Sequence, residues 1–277
     1  MTAEVVTKVR SFKGFQYVYR HASTSLKCDM TFGVYVPDHS DSEKLPTLFY
    51  LSGLTCTHAN FMEKSGFQRL ASDHRMIVVH PDTSPRGVDI SGDSESWDFG
   101  KGAGFYVNAT VEKWATNYNM YDYVVEELPA LIQSIAPSDS KRLGIFGHSM
   151  GGHGALVIGL RNPEKFRSIS AFAPISHPIN CAWGTKAFTG YLGDDQTKWE
   201  QYDASLLLKS YSKKKVKILV DQGSADGFLE QLQPNSLVST PTAEVTVRLQ
   251  DGFDHSYYFI ATFIADHFEH HAAVLAK

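Results

Sequence analysis

The five residues at positions 147–151, Gly-His-Ser-Met-Gly, place a serine between two glycines. They directly follow the apolar run 143–146 and precede a segment rich in Gly and Ala, the strand–turn–helix setting of a nucleophile elbow. A serine at such a sharp turn has strained backbone angles, so its neighbours must be small for the strand and the helix to approach each other. The pattern predicts Ser149 as a nucleophile. The alternative is a glycine-rich turn in which the serine only caps the helix.

A serine hydroxyl needs a base to take its proton. In folds that present a serine on an elbow, the chain order is serine, acid and histidine. His255 fits this order, because it lies between the last predicted strand and the last predicted helix. The same order excludes four other histidines as the base: His58, His80, His148 and His153.

The remaining histidines suit the role less well. His177 precedes any plausible acid, although it is placed to line a pocket. His267, His270 and His271 lie in the final predicted helix, and we expect them to be solvated or to supply charge near the end of that helix.

Two aspartates compete for the role of the acid, Asp221 and Asp226, and both follow the apolar run 216–220. Asp221 stands at the strand end, where we expect it to serve the loop by accepting backbone amides. Asp226 lies further out and can reach His255, so it is favoured. The acid would fix the imidazole tautomer and stabilise the imidazolium without taking the proton itself.

A developing oxyanion needs two backbone donors. One is expected from the residue after the nucleophile, Met150, and the other from the loop after an earlier strand, where Leu54 is placed to donate. Cys56 follows two residues later and would border the pocket; a small buried filler is the alternative role. The helix that begins after Ser149 adds a favourable dipole.

The elements that must position these groups alternate along the chain. After two strands at 15–20 and 30–36, short apolar runs continue at 47–51, 76–79, 143–146, 168–172, 216–220 and 245–249. Several are continuously hydrophobic, as strands covered on both faces are. Helical spacing appears at 121–135, 150–160 and 257–275. The order predicts an α/β fold with a mostly parallel central sheet, an antiparallel N-terminal part and helices on both faces.

Composition narrows the function classes. The chain has 277 residues, a formal net charge of −4 and three cysteines, Cys28, Cys56 and Cys181. We expect one domain over residues 1–277, no nucleic-acid partner, and no metal or cofactor, because no His or Cys spacing suits a ligand set. Sparse cysteines without a signal sequence or an apolar span favour a cytoplasmic protein that does not enter a membrane.

The motifs taken together resemble those of the S-formylglutathione hydrolases, also called esterase D. The matching segments cover nearly the whole chain and lie at 52–57, 81–87, 95–100, 102–107, 147–154, 173–175, 190–193, 221–223 and 254–263. The resemblance implies an α/β-hydrolase fold and a cytosolic serine thioesterase that splits S-formylglutathione into glutathione and formate, with activity on small carboxyl esters. It implies the triad Ser149, Asp226 and His255, the oxyanion donors Leu54 and Met150, and a homodimer.

The implied substrate, S-formylglutathione, allows us to predict residues that contact its formyl group and its glutathione part. Trp97 and Phe99 are candidates to wall a small slot for the formyl group, unless Trp97 only fastens the long loop at 82–105. Glutathione carries two carboxylates, so cations are expected at the pocket mouth, with Arg86, Lys101 and Lys186 as candidates. The segment 228–242 is shorter than the family usually has, which leaves the helix after Asp226 open.

Two other classes remain to be distinguished. A general carboxylesterase or acyltransferase of the same fold would prefer an aryl ester to the thioester. A non-enzymatic binding protein of this fold would be expected to lack one member of the triad, and here all three residue types are present.

Overall fold

One mixed sheet of nine strands organises the computed structural model, which describes residues 2–276. In chain order the strands are β1 (Glu4–Arg10), β2 (Gly14–Ala22), β3 (Asp29–Pro37), β4 (Leu45–Leu51), β5 (Ile77–Pro81), β6 (Ser138–His148), β7 (Phe166–Phe172), β8 (Val216–Gly223) and β9 (Ala243–Gln250). Their order across the sheet is β1-β2-β3-β5-β4-β6-β7-β8-β9.

The sheet has an antiparallel N-terminal part and a larger parallel part. The pairs β1–β2, β2–β3 and β3–β5 are antiparallel, whereas β5, β4, β6, β7, β8 and β9 run parallel to one another. Helices cover both sides of the sheet. The predicted fold class is therefore confirmed. Parallel strands end at a common edge, so the loops that follow β4, β6, β8 and β9 gather there.

The helices fill the connections between strands. They are α1 (His58–Lys64), α2 (Phe67–Asp73), α3 (Glu112–Ala115), α4 (Met120–Asp122), α5 (Leu128–Ile135), α6 (Met150–Arg161), α7 (Ala182–Leu192), α8 (Ala204–Ser210), α9 (Leu229–Leu232) and α10 (Tyr257–Leu275). Short 3₁₀ turns occur at Pro178–Asn180, Gln196–Lys198, Glu200–Tyr202 and Pro234–Ser236. No helix within residues 2–276 is long and apolar enough to cross a bilayer.

The central strands are buried along their whole length. Every residue of β4 and of β5 is buried, as the continuous apolar runs in the sequence predict. At the edge, all seven residues of β1 are exposed, and β1 pairs only with β2. The two strands that we predicted for the N-terminal part exist, but β1 was missed because its sequence, EVVTKVR, does not alternate between apolar and polar residues and none of its residues is buried.

The predicted helix at 121–135 is not a regular α-helix. A π-helical stretch, Tyr123–Glu127, lies between α4 and α5. Its wider turn accompanies the burial of the Glu127 carboxylate, which accepts hydrogen bonds from the amides of Thr24 and Ser25 at 2.7 and 2.8 Å. The spacing of the apolar residues predicts that this segment is helical. It does not distinguish the i→i+4 hydrogen bonds of an α-helix from the i→i+5 hydrogen bonds of a π-helix.

Candidate active site

Ser149 occupies the turn between β6 and α6 with φ 59° and ψ −120°, a conformation that non-glycine residues rarely adopt. Its neighbours must be glycine for steric reasons. A Cβ on Gly151 would lie 1.9 Å from the carbonyl oxygen of Leu51, and one on Gly147 would lie 2.3 Å from that of Gly151. The Ser149 amide donates to the Phe172 carbonyl at 3.0 Å. The sheet therefore holds the strained turn in place.

His255 and Asp226 form a hydrogen-bonded pair. The turn after β8 carries Asp226, the loop between β9 and α10 carries His255, and Nδ1 of the histidine lies 2.6 Å from Oδ2 of the aspartate. The same Oδ2 accepts from Nε2 of Gln222 at 3.0 Å, and Oδ1 accepts from the Phe228 amide at 2.8 Å. Burial raises the pKa of Asp226, whereas these hydrogen bonds lower it. The hydrogen bonds together outweigh burial, so the pKa of Asp226 falls below its usual value.

Asp221, the other candidate for the acid, faces away from His255. Its carboxylate is fully buried and accepts from Arg248 Nε at 2.7 Å and from His267 Nε2 at 3.0 Å. Burial raises the pKa of Asp221, yet the hydrogen bonds from His267 and Arg248 lower it to about 2. We expected Asp221 to accept backbone amides of its loop; it instead joins α10 and β9 to the end of β8.

Ser149 and His255 line one cavity of about 210 Å³. The cavity also touches Leu54, Cys56 and Trp97. Three large side chains that were not predicted for the site complete its wall, namely Trp183, Phe228 and Tyr257. The loops after β4, β6 and β9 thus meet around one small, mainly apolar space, with Ser149 and His255 on its surface.

The aromatic wall is a connected set of rings. Phe228 packs edge-on against His255 with ring centroids 5.1 Å apart, and Trp183 lies 5.0 Å from Phe228. Trp97 meets Trp183 edge-to-face at 5.9 Å, although 55% of Trp97 is exposed. The prediction that Phe99 belongs to this wall is wrong. Phe99 stacks on Tyr191 with ring centroids 4.4 Å apart and is absent from the lining of the described cavity.

The amides of Leu54 and Met150, predicted as oxyanion donors, lie in segments next to Ser149. Gly53 packs so closely against the nucleophile that a Cβ there would lie 3.1 Å from Cβ of Ser149, and Leu54 follows it on the cavity surface. Met150 is the first residue of α6. Among the described residues, neither the Leu54 nor the Met150 amide donates a hydrogen bond within the protein. Both donors are therefore free for a ligand oxygen beside Ser149.

His148 contributes a second imidazole that sequence reasoning set aside. Its ring centroid lies 4.4 Å from that of His255, and the residue is buried. Burial and the neighbouring His255 lower the pKa of His148 well below its ordinary value, so it packs as a neutral ring. Its place next to the serine was the only signal that could have drawn attention to it.

Cys56 lines the cavity through a thiol that stays protonated at neutral pH. Burial raises the pKa of this thiol. It therefore lines the cavity as a neutral group, and the cavity border is where it was predicted to lie.

The cations that we nominated for the substrate are engaged elsewhere. Lys186 lies against Asp98 and Ser96, outside the lining of the described cavity. Arg86 Nε contacts Asp82 at 2.9 Å, and Lys101 Nζ lies 3.4 Å from Asp93. These pairs fasten the long loop after β5, so the sequence candidates do not converge on the nucleophile.

The final-helix histidines were expected to be solvated, and this expectation is wrong. His267 and His271 are fully buried against β7, where Ser170 lies 2.8 Å from Nδ1 of His267 and 2.9 Å from Nε2 of His271. His270, which is partly buried, contacts the carbonyl of Ile169 at 2.9 Å. None of the three reaches the cavity.

Known proteins share this architecture and sequence. Residues 23–270 match a family described as putative esterase. S-formylglutathione hydrolase of Mus musculus is 56% identical over 99% of both chains, and that of Arabidopsis thaliana is 53% identical over 98% of this chain and 97% of its own. The solved structure of S-formylglutathione hydrolase from Agrobacterium tumefaciens superposes with a TM-score of 0.93 at 48% identity, covering 98% of this chain and 99% of that one.

Proposed function

The chain belongs to the S-formylglutathione hydrolase family of esterases, and from this premise we propose that Ser149, His255 and Asp226 hydrolyse S-formylglutathione to glutathione and formate. The 2.6 Å contact between His255 and Asp226 carries this proposal, because the same imidazole lines the cavity that contains Ser149. With Nδ1 bound to the carboxylate, Nε2 is left to accept a proton.

The acylation step follows from this arrangement. Ser149 Oγ attacks the formyl carbon while its proton passes to Nε2 of His255. The amides of Leu54 and Met150 donate to the oxyanion that develops on the carbonyl oxygen. When the tetrahedral intermediate collapses, the carbon–sulfur bond breaks and His255 gives its proton to the departing sulfur. Glutathione leaves, and the formyl group remains as an ester on Ser149.

Deacylation repeats the chemistry with water. His255 removes a proton from a water molecule, and the hydroxide attacks the formyl ester through the same oxyanion contacts. The carbon–oxygen bond to Ser149 then breaks, the serine recovers its proton from His255, and formate is released. Asp226 stays ionised throughout, which its lowered pKa permits.

The size of the cavity suits a one-carbon acyl group. A space of about 210 Å³ walled by Trp97, Trp183 and Phe228 encloses the formyl group and the sulfur, while the tripeptide extends outside it. Small carboxyl esters fit the same space, so activity on them is expected as well.

Steady-state kinetics test the proposed function. Wild type should show a much higher kcat/KM on S-formylglutathione than on p-nitrophenyl acetate, and Ser149→Ala should abolish both activities. A preference for the aryl ester by orders of magnitude would instead assign a general carboxylesterase. A wild-type Ser149 that a fluorophosphonate leaves unmodified would contradict any role as a nucleophile.

We also propose a cellular compartment and an oligomeric state for the protein. Cys28, Cys56 and Cys181 are all free thiols, which supports a reducing compartment such as the cytoplasm. Cell fractionation tests this. The homodimer implied by the family stays a prediction, for which light scattering after size-exclusion chromatography gives the answer.

A further inference from the structure

The thiol half of the substrate needs a counter-charge that the candidates from the sequence do not supply. Glutathione carries two carboxylates, and only its sulfur and the acyl group fit beside Ser149. Arg86, Lys101 and Lys186 are each held by an aspartate of the loop at residues 82–105. A cation without an ion-pair partner is therefore a better candidate to recognise the tripeptide.

A second cavity adjoins the catalytic one. Its volume is about 590 Å³, and it is lined by Lys64, Ser256, Tyr257 and Tyr258. Ser256 and Tyr257 also line the cavity that contains Ser149. The two cavities therefore lie side by side, with Ser256 and Tyr257 at the start of α10 between them.

Lys64 is the charged group of this second cavity. It is exposed at the last position of α1, its Nζ lies 5.9 Å from the centroid of the Tyr257 ring, and it forms no ion pair with any residue that the structure describes. Burial raises the pKa of the Cys56 thiol, and the charge of Lys64 opposes that rise. The ammonium group therefore lies near Cys56 and Tyr257, which both line the cavity that contains Ser149.

The rest of the rim suits a short peptide. Tyr258 is 85% exposed, so its ring offers a flat apolar surface beside the cavity. Asp254 accepts from the hydroxyl of Ser256 at 2.6 Å, so an acidic group stands at the same rim. A ligand with carboxylates and one ammonium group, as glutathione has, meets both signs of charge there.

We propose that the cavity between Lys64 and Tyr258 binds the glutathione moiety, with Lys64 pairing one of its carboxylates. The proposal rests on the proposed function, because it concerns the leaving group of that reaction. Lys64 acts on binding, and the chemistry stays with Ser149, His255 and Asp226.

Charge variants at Lys64 test the assignment. The variants are Lys64→Gln and Lys64→Glu, and Lys209→Glu is the matched control, since Lys209 is exposed and lines a surface cavity with no residue in common with the catalytic one. For Lys64→Gln the KM for S-formylglutathione should rise about tenfold, the effect of losing roughly 1.4 kcal/mol of charge-assisted binding. Lys64→Glu should raise it further, while kcat and the rate on p-nitrophenyl acetate stay within about twofold.

Inhibition by glutathione gives an independent reading. Free glutathione should compete with p-nitrophenyl acetate in wild type and in Lys209→Glu, and its inhibition constant should rise in both Lys64 variants. Unchanged KM and inhibition constants in an enzyme that hydrolyses S-formylglutathione would overturn the binding assignment alone. Equal losses on both substrates would also overturn it, because they would mean that Lys64 supports the catalytic groups. A wild type inactive on the thioester would reject the proposed function instead.

Discussion

At the scale of single residues, Ser149 combines reactivity with backbone strain. Its φ of 59° lies in a region that costs a residue with a Cβ about 1–3 kcal/mol. The glycines around it and its hydrogen bond to Phe172 hold this geometry. The strained backbone thus lowers stability at the position that presents the serine hydroxyl to the cavity.

Replacing Ser149 with glycine should therefore stabilise the protein relative to Ser149→Ala. Both variants lack the hydroxyl and should be inactive, but only glycine relieves the strain, giving a net gain of about 1 kcal/mol after its own chain-entropy cost. Urea unfolding of the two variants measures the difference. A glycine variant less stable than the alanine variant would show that the turn is not strained in the manner described.

Cys56 provides a second test at this scale. A bulky maleimide on its thiol should fill the catalytic cavity and inactivate the wild type, although its raised pKa makes the reaction slow near neutral pH. Cys56→Ser should keep activity and resist the reagent, and Cys28→Ser, altered at another partly buried thiol, should remain sensitive. Equal inactivation of wild type and Cys56→Ser would place the sensitive thiol elsewhere.

At the scale of elements, α10 is fastened to the sheet by a buried polar chain. His267 links Asp221 at the end of β8 to Ser170 on β7, and His271 continues from Ser170 to Ser168 at 2.7 Å. The same helix begins at the residues that follow His255. The polar chain thus fixes the helix whose start carries the base and the rim of the second cavity.

His267→Leu should destabilise the protein by about 1–3 kcal/mol, because it removes a hydrogen-bond donor to the buried, ionised Asp221. Glu269→Ala, an exposed change on the same helix, should cost no more than about 0.5 kcal/mol. Chemical denaturation of both variants compares them. A small effect at His267 would mean that Arg248 alone satisfies the carboxylate.

Local sequence predicted the parts of this architecture that depend on neighbours in the chain. The elbow follows from Gly147 and Gly151, because their steric role is set by the turn itself. Pairings between distant residues were harder to predict. Nothing near His267 indicates that Asp221 lies beside it, and nothing near Lys186 indicates its contact with Asp98. The residues that line the second cavity likewise meet only in the folded chain.

At the scale of the whole molecule, burial of neutral histidines sets the response to acid. Burial lowers the pKa of His80 to about 3 and that of His153 to about 4. Burial also lowers the pKa of His148 and His271 well below the ordinary value, and that of His267 below it. As the pH drops below about 6.5, these histidines become protonated in the unfolded chain but stay neutral in the folded chain. Proton binding therefore stabilises the unfolded state.

Stability should consequently be highest above neutral pH and fall as the medium becomes acidic. Between pH 7.5 and 5.5, His80 and His153 together should lower the free energy of unfolding by about 3 kcal/mol, because each approaches a slope of about 1.4 kcal/mol per pH unit only below pH 6.5. Asp221, whose folded pKa of about 2 lies below its unfolded value, adds a loss only below about pH 4. Urea titrations at pH 7.5 and pH 5.5 check this, and equal unfolding free energies would contradict it.

The edge position of β1 determines where the folded protein opens locally. All its residues face solvent, and it is joined to the sheet only through β2, whereas β4 and β6 lie at the centre. Backbone amides of β1 should therefore exchange with deuterated solvent through local opening, long before those of the central strands. Because Ser149 follows β6 and Leu54 follows β4, the catalytic geometry persists while the periphery opens and closes.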